Sequence, residues 1–254
     1  MRKSDPSASL EEGQAKVASL GMKGMIPIGR PFMDYLLSAV ADAGYKRVCL
    51  VIGPEHGAVE RYYTVDSPVG RLELHFAIQE KPLGTADAVL AAEDFCGNEP
   101  FIVLNSDNYY PSDVLRKLSE ATAPAIAAFA RSALVAGGNV MPDRVTRFGA
   151  LTIDDAGYLL SIMPRPGDDS RAEGDEIYAS MNCWLFDSQI FDACRRVPLS
   201  PRNELELPRA VQLGIDTMGM RFTAVRVAAA VLDLSTQSDI AEVQRRLSDI
   251  SITL

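Results

Sequence analysis

The sequence predicts an α/β fold: a doubly wound, largely parallel sheet flanked by helices, with antiparallel strands added in its second half. Three observations predict it. Arg47–Gly53 (RVCLVIG) is a short continuous apolar run ending in Gly, as in a strand buried on both faces of a parallel sheet. Up to Ala130, strand-like runs alternate with segments whose apolar residues recur at helical spacing, the signature of βαβ units. Past residue 140, strand-like runs succeed one another through Gly, Asp and Pro turns, which points to antiparallel additions.

Residues 1–21 are polar and small without a clear period and read as a flexible lead-in; residues 22–254 read as one domain, with a first half at about 22–131 and a second at about 132–254. From Pro31 to Gly44 the residues Phe32, Tyr35, Leu36, Ala39, Val40 and Ala43 lie on one helical face, with Pro at the start and Gly at the end. Next come strands at Arg47–Gly53 and Leu72–Gln79, a helix at Thr85–Phe95, a strand at Phe101–Leu104, a helix near Ser112–Ala121 and a strand at Ala125–Ala130. The second half reads as strands Gly149–Asp154, Tyr158–Met163 and Ile177–Phe186, helices Ser188–Val197 and Glu204–Met218, a strand from Phe222 to Leu234 and a helix from Thr236. Pro164–Gly174 (PRPGDDSRAEG) reads as a mobile surface loop, and no internal repeat is present.

Composition narrows the function classes. The 254 residues are 47% hydrophobic and 23% charged, too apolar for a disordered chain, and no apolar run approaches the ~20 residues of a membrane span. Twenty-five basic against 34 acidic residues leave a net charge of −9, which argues against nucleic-acid or anionic-membrane binding but not against a locally held phosphate. Cys49, Cys96, Cys183 and Cys194 sit in or beside apolar segments without C-x-x-C spacing, as buried thiols of a reducing cytoplasm do. The start of the sequence lacks the apolar core of a signal peptide, so cytoplasmic residence is expected.

Ligands of open α/β sheets bind outside the carboxyl ends of the strands, so residues just after strands matter most. Asp107 comes just after the run Phe101–Leu104, and a hard cation such as Mg²⁺ takes one or two protein carboxylates and completes its shell with water and phosphate oxygens. By itself, Asp107-Asn108 is equally a turn-forming pair. Asp233 lies in an apolar setting (AAAVLDLST) with Ser235 and Thr236 nearer to the next helix as caps, so its carboxylate needs another explanation. The two aspartates could clamp one metal if their strands are neighbours. Between Leu72–Gln79 and the next helix, Gly84 permits close backbone approach and Thr85 can cap the helix. Lys23 is a lone cation ahead of an apolar stretch, and a solvated side chain would explain it as well. His56 and His75 read as structural.

The order of the pieces adds what each lacks. Lys23-Gly-Met-Ile-Pro-Ile-Gly-Arg-Pro-Phe-Met resembles the K-P-M-L-P-[IV]-x-x-[KR]-P-[ML] segment of the sugar-1-phosphate nucleotidylyltransferases. Gln79 with Gly84 five positions later resembles that family's base-binding pair, and Leu104-Asn105-Ser106-Asp107-Asn108 its L-x-G-D-N metal turn, with Ser106 where Gly is usual. Arg147-Phe148-Gly149 is similar to its [RK]-[YF]-G turn, Glu204-Leu205-Glu206-Leu207 to E-[LY]-E-[LI], and Leu232-Asp233-Leu234-Ser235-Thr236 to D-[IL]-G-T. The resemblance spans about residues 22–250.

The resemblance alone implies a Rossmann-like nucleotide-diphospho-sugar transferase fold. It also implies a reaction that joins a nucleoside triphosphate to a phosphorylated small molecule, a sugar 1-phosphate, with release of pyrophosphate. On the same ground, Lys23 and Asp107 act at the phosphates, Asp107 and Asp233 hold Mg²⁺, and Gln79, Gly84, Thr85 and Asn108 bind the nucleotide. Gly149, Arg165, Asn182 and Glu204 line the acceptor side by the same resemblance, and a homo-oligomer is compatible with the family. The sequence departs from the pattern in three places. The opening strand and G-x-G-T-R phosphate loop are not found, so the expectation is that about 15 residues, one strand and one loop, precede Met1, an in-frame upstream segment being the check. The E-K-P sugar site is replaced by Pro164-Arg165-Pro166, and Asn182 stands where Gly is usual. These departures raise the alternative of a non-catalytic nucleotide- or sugar-phosphate-binding relic.

Overall fold

A computed structural model describes residues 22–146, 148–163 and 176–254. The chain enters through a 3₁₀ turn, Lys23–Met25, and helix α1, Phe32–Asp42, opened by Pro31 and buried along nearly its whole length. Then come β1 (Arg47–Ile52), the short helix α2 (Gly57–Arg61), β2 (Glu73–Ile78), α3 (Thr85–Ala91), α4 (Glu93–Cys96), β3 (Phe101–Val103) and β4 (Asn108–Tyr109). Helix α5 (Ser112–Ser119) leads to β5 (Ala125–Ala130), α6 (Arg131–Gly137) and α7 (Pro142–Val145). The second half holds β6 (Ala150–Ile153), β7 (Leu159–Met163), β8 (Tyr178–Phe186), α8 (Gln189–Arg196), α9 (Leu207–Met218), β9 (Thr223–Val227), β10 (Leu232–Asp233) and α10 (Asp239–Leu247).

The central sheet has the order β7-β6-β8-β5-β9, with β3 also on β8. Strands β3, β5, β6 and β9 run one way, while β8 and β7 run against them. Four of the six strands thus share one direction, and β6, β7 and β8, the expected additions, pair antiparallel. β1 and β2 pair in parallel as a separate ladder, and β4 pairs antiparallel with β10. Strand β5 is buried on both faces: Ala125, Ala127 and Phe129 join the core under α1 and α5, while Ile126 and Ala128 join the core under α3, α8 and α9. That period of two, apolar on both sides, is what a sheet covered by helices on each face demands.

A third apolar cluster matters for the site. Ile26, Ile28 and Phe32 pack with Leu232, Leu234, Ile240, Val243 and Leu247, and Ile26, Phe32 and Leu234 are fully buried. Burying each such side chain is worth roughly 1.5–3 kcal/mol, so this cluster fixes the turn that carries Lys23 against the strand that carries Asp233.

Four expectations are corrected. β1 is half-buried rather than buried on both faces; among the described residues it pairs with β2 alone. The helix expected over Thr85–Phe95 breaks at Ala92. The helix expected from Glu204 begins at Leu207, after an extended Glu206, because Leu205 is engaged elsewhere: its N–H donates to the Leu83 carbonyl and its carbonyl accepts from Ala86. The strand expected over Phe222–Leu234 is two strands, β9 and β10, and the chain between them crosses from the central sheet to β4. The expected lead-in 1–21 and surface loop 164–174 lie outside the described residues. The four cysteines are free thiols, Cys183 and Cys194 fully buried, and burial pushes Cys194 up to about 12.

Candidate active site

The antiparallel register Leu232↔Tyr109 and Asp233↔Asn108 places Asp233 beside the turn that carries Asp107, and the Leu234 N–H donates to the Asp107 carbonyl at 2.8 Å. The two strands are therefore neighbours, and Asp107 and Asp233 line one cleft of about 210 Å³ with Asn105, Asn108, Phe148, Ser180, Met181, Asn182 and Ser235. Lys23 reaches the same place: its ammonium donates to Asp107 Oδ2 at 2.7 Å. Gly24 makes this approach feasible, since a Cβ there would lie 2.8 Å from Met33 Cε and 3.2 Å from the Ser106 carbonyl oxygen.

Asp233 is the buried member, 3% exposed. Its Oδ1 accepts from the Ser235 hydroxyl at 2.9 Å and from the Asn108 amide at 3.4 Å; its Oδ2 accepts from Arg144 at 2.7 Å. Its backbone is clamped by Asn139, whose amide exchanges two hydrogen bonds of 2.8 Å with the Asp233 N–H and carbonyl. Burial pushes the Asp233 carboxyl up to about 6; the charges of Asp107 and Asp239 add to this, while the Ser235 hydroxyl and Arg144 oppose it. Lys23 and Arg144 face the three carboxylates of Asp107, Asp233 and Asp239, which leaves net negative charge at this spot, a setting that favours an added cation. Among the described residues no cluster of three or more His, Cys, Asp or Glu could hold a metal, so these two carboxylates would leave the rest of a cation's shell to water and ligand oxygens.

Strand β8 bulges where it meets the cleft: Ile126 pairs with Trp184 and Ala128 with Ser180, leaving extra residues on β8, a device that re-aims side chains beside active sites. Asn182 sits in that bulge with φ 54°, a left-handed conformation that Asn tolerates better than most residues and Gly adopts freely. This accounts for Asn at a position where Gly is usual. The fully buried Tyr110 braces both walls, donating to the Met181 carbonyl at 2.6 Å while its oxygen accepts from the Asn105 N–H at 3.4 Å. Gly149 stands beside the cleft-lining Phe148, and its carbonyl accepts from the Ser180 N–H.

The remaining predicted residues gather in a second cluster, at the carboxyl end of β2. The Gln79 amide donates to the Gly84 carbonyl at 3.0 Å and to Asp87 Oδ2 at 2.8 Å. Gly84 has φ 124°, and a Cβ there would fall 2.5 Å from the Leu205 carbonyl oxygen, so the 204–206 segment can lie against this loop only if residue 84 is Gly. Glu204, expected on the acceptor side, instead adjoins this contact and does not line the cleft around Asp107. Thr85 does not cap its own helix. Gly84 holds the N-cap position of α3, and the Thr85 hydroxyl accepts from the Leu207 N–H at 2.9 Å, capping α9 instead. Arg165 lies outside the described residues. The sequence reading missed Arg144, Asn139 and Tyr110; Tyr110, an aromatic two residues after a strand-end pair, had a weak signal, while Arg144 and Asn139 sit in segments without any.

A mixed α/β sheet with two carboxylates in one polar cleft and a lysine from the entering 3₁₀ turn on one of them is the architecture of the nucleotide-diphospho-sugar transferase fold. The chain belongs to the Nucleotidyl transferase family, which it matches over residues 18–249. It is 27% identical over 231 residues to the UTP–glucose-1-phosphate uridylyltransferase AglF of Haloferax volcanii, a match covering 89% of this chain and 88% of that one. It is 29% identical over 227 residues to a glucose-1-phosphate thymidylyltransferase of Streptomyces griseus, covering 88% of this chain and 59% of that longer one. Among solved structures it is similar to a UDP-glucose pyrophosphorylase complexed with UDP-glucose, with TM-score 0.70 at 17% identity, covering 90% and 91% of the two chains. That likeness shows the fold.

Proposed function

We propose that this protein is an Mg²⁺-dependent nucleotidyltransferase that makes an NDP-sugar from a nucleoside triphosphate and a sugar 1-phosphate. The observation that carries the reading is the convergence of Asp107 and Asp233, from paired strands, on one cleft with Lys23. In the reaction a phosphate oxygen of the acceptor forms a bond to the α-phosphorus, the bond to the departing pyrophosphate breaks, and no covalent enzyme intermediate is needed. Asp107 and Asp233 would hold Mg²⁺, which would supply positive charge against the charge developing on the phosphates. Lys23 has Asp107 as its charged partner and can turn from it to a phosphate, adding positive charge where the transition state gains negative charge. Asn182, Ser180 and Ser235 present amide and hydroxyl groups suited to a hydroxyl-rich acceptor, Phe148 and Met181 supply apolar surface for a sugar ring, and Asn108, on Asp233, would meet the nucleotide. Gln79 and Gly84 would read the base, with Thr85 and Glu204 framing that end, and Arg165 would meet an acceptor phosphate.

The relatives' names support a glucose 1-phosphate acceptor and a uridine or thymidine triphosphate donor. Free thiols suit a reducing cytoplasm, and among the described residues no helix is long and apolar enough to cross a membrane. The test is pyrophosphate release from UTP, dTTP, GTP, ATP or CTP with a panel of sugar 1-phosphates. Release that requires Mg²⁺ and is abolished by Asp107→Ala is expected. Nucleotide binding without release from any pair would favour the non-catalytic reading.

A further inference from the structure

Arg144 is the cation that neither the motif order nor the reaction calls for, yet it lies in the carboxylate cluster. It projects from α7, the short helix that leads into the Phe148 turn lining the cleft. One guanidinium nitrogen donates to Asp239 Oδ1 at 2.5 Å; the other donates to Asp233 Oδ2 at 2.7 Å and to Asp239 Oδ2 at 3.3 Å. Asp239 is itself fixed, its Oδ2 accepting from the Thr236 N–H at 2.7 Å and hydroxyl at 2.8 Å. The guanidinium is thus a planar fork between two carboxylates, one of them anchored to the start of α10.

The contrast with Lys23 is informative. Lys23 meets one carboxylate through one contact, on a side chain 26% exposed, and can leave it. Arg144 makes three contacts in a partly buried setting and cannot turn away without breaking its bonds to both carboxylates. Arg144 therefore holds Asp233 through Oδ2, while Oδ1 has lighter partners, the Ser235 hydroxyl, a rotor that can turn away, and the Asn108 amide at 3.4 Å.

We propose that Arg144 is a positioning residue: by holding Oδ2 it locks the Asp233 carboxylate so that Oδ1 serves a divalent cation, and it ties that carboxylate to the acceptor-side turn after α7. The inference rests on the reading of Asp107 and Asp233 as metal ligands. It does not require turnover. A simple counter-ion and a positioning residue differ in sign, because deleting a neighbouring positive charge tightens cation binding, whereas releasing a ligand from its fixed orientation weakens it.

The experiment is titration of the whole protein with Mn²⁺ alone, monitored by electron paramagnetic resonance, for wild type, Arg144→Lys and Arg144→Met. Arg144→Lys keeps the charge and loses the fork. Both variants are expected to weaken Mn²⁺ binding, the lysine variant by about 10-fold, in line with the loss of groups that orient metal ligands, and the Mg²⁺ activation constant of pyrophosphate release should rise with it. Should the lysine variant melt more than about 10 °C below wild type, Thr236→Val, which loosens Asp239 without touching the cleft, is read in its place and should weaken Mn²⁺ binding by about 3-fold. A lysine variant within twofold of wild type, a methionine variant that binds more tightly, or a wild-type protein without a millimolar Mn²⁺ site overturns the proposal. Mn²⁺ binding that behaves as expected in a protein without pyrophosphate release would instead sink the catalytic reading and leave this one standing.

Discussion

The ammonium of Lys23 lies 2.7 Å from Asp107 Oδ2, a contact between residues 84 positions apart in sequence. At 26% and 21% side-chain exposure the pair is worth at most about 1 kcal/mol to stability. Lys23→Met should therefore leave the melting temperature nearly unchanged while lowering kcat for pyrophosphate release by about 10²–10³, the usual cost of removing one donor aimed at developing charge. Steady-state kinetics beside thermal melts decide it; a large stability loss with unchanged kcat would make Lys23 structural.

Gln79 spends both amide hydrogens, on the Gly84 carbonyl and on Asp87. Because a carbonyl and a carboxylate can only accept, the orientation of the amide is fixed and its oxygen alone is left to meet a base. Bases with a ring N–H (uracil, thymine, guanine) should bind better than cytosine or adenine, and Asp87→Ala should shrink that preference by about 10-fold, one charge-assisted hydrogen bond. Competition among triphosphates for the wild-type and variant proteins measures it, and equal affinities for all five in wild type would refute it.

Asn182 has a backbone that Gly adopts without strain and a side chain on the cleft. Asn182→Gly should fold with a stability within about 1 kcal/mol of wild type. It should also raise kcat/KM for N-acetylglucosamine 1-phosphate relative to glucose 1-phosphate, because the side chain no longer fills part of the cleft. An unchanged ratio would remove Asn182 from acceptor selection.

Gly84 and Gly44 make a matched pair. Both have positive φ, but a Cβ on Gly84 would strike the Leu205 backbone whereas one on Gly44 meets nothing within 4 Å. Gly44→Ala should cost about 1 kcal/mol and Gly84→Ala about 2–4 kcal/mol, the range for strain plus a backbone clash. Urea denaturation of both variants gives the comparison; equal losses would mean that the loop yields.

Asp34 is fully buried in α1, with the Tyr63 hydroxyl on Oδ1 and Arg30 on Oδ2, each at 3.0 Å. Burial raises its carboxyl above the ordinary 3.8, with Tyr63 and Arg30 opposing. The folded state therefore binds this proton more tightly than the unfolded chain does, so the stability contribution is full below pH 3.8 and falls as pH rises through the folded value. Asp34→Asn keeps an acceptor for Tyr63 and removes the titration. The variant should gain on wild type as pH rises from about 4 to 7, and a difference independent of pH in urea melts would contradict this.

The alternating strands and helices of the first half were readable because each carries its own period, as the two-sided apolar run of β5 does. Asp107 and Asp233 were readable as strand-end carboxylates, yet their adjacency was not, since the pairing of β4 with β10 joins distant parts of the chain and each strand is very short. The split of β9 from β10 was hidden because the intervening Ala228, Ala229 and Ala230 look like more strand. Thr85 does perform a capping act, but on another helix than its own: capping chemistry is local, whereas which N–H comes within reach is set by the approach of Leu205. Arg144 left no trace because a lone arginine after Pro142 and Asp143 looks like any solvated turn, and only the fold brings it to Asp233.

The proposed chemistry depends on Asp107 and Asp233 holding one metal together. Anomalous diffraction from crystals grown with Mn²⁺ and a nucleoside triphosphate tests this most directly. The prediction is a single strong peak within coordination distance of a carboxylate oxygen from each of Asp107 and Asp233, with Arg144 still on the other oxygen of Asp233. A peak bound by only one of them, or bound elsewhere while the nucleotide occupies the cleft, would contradict it.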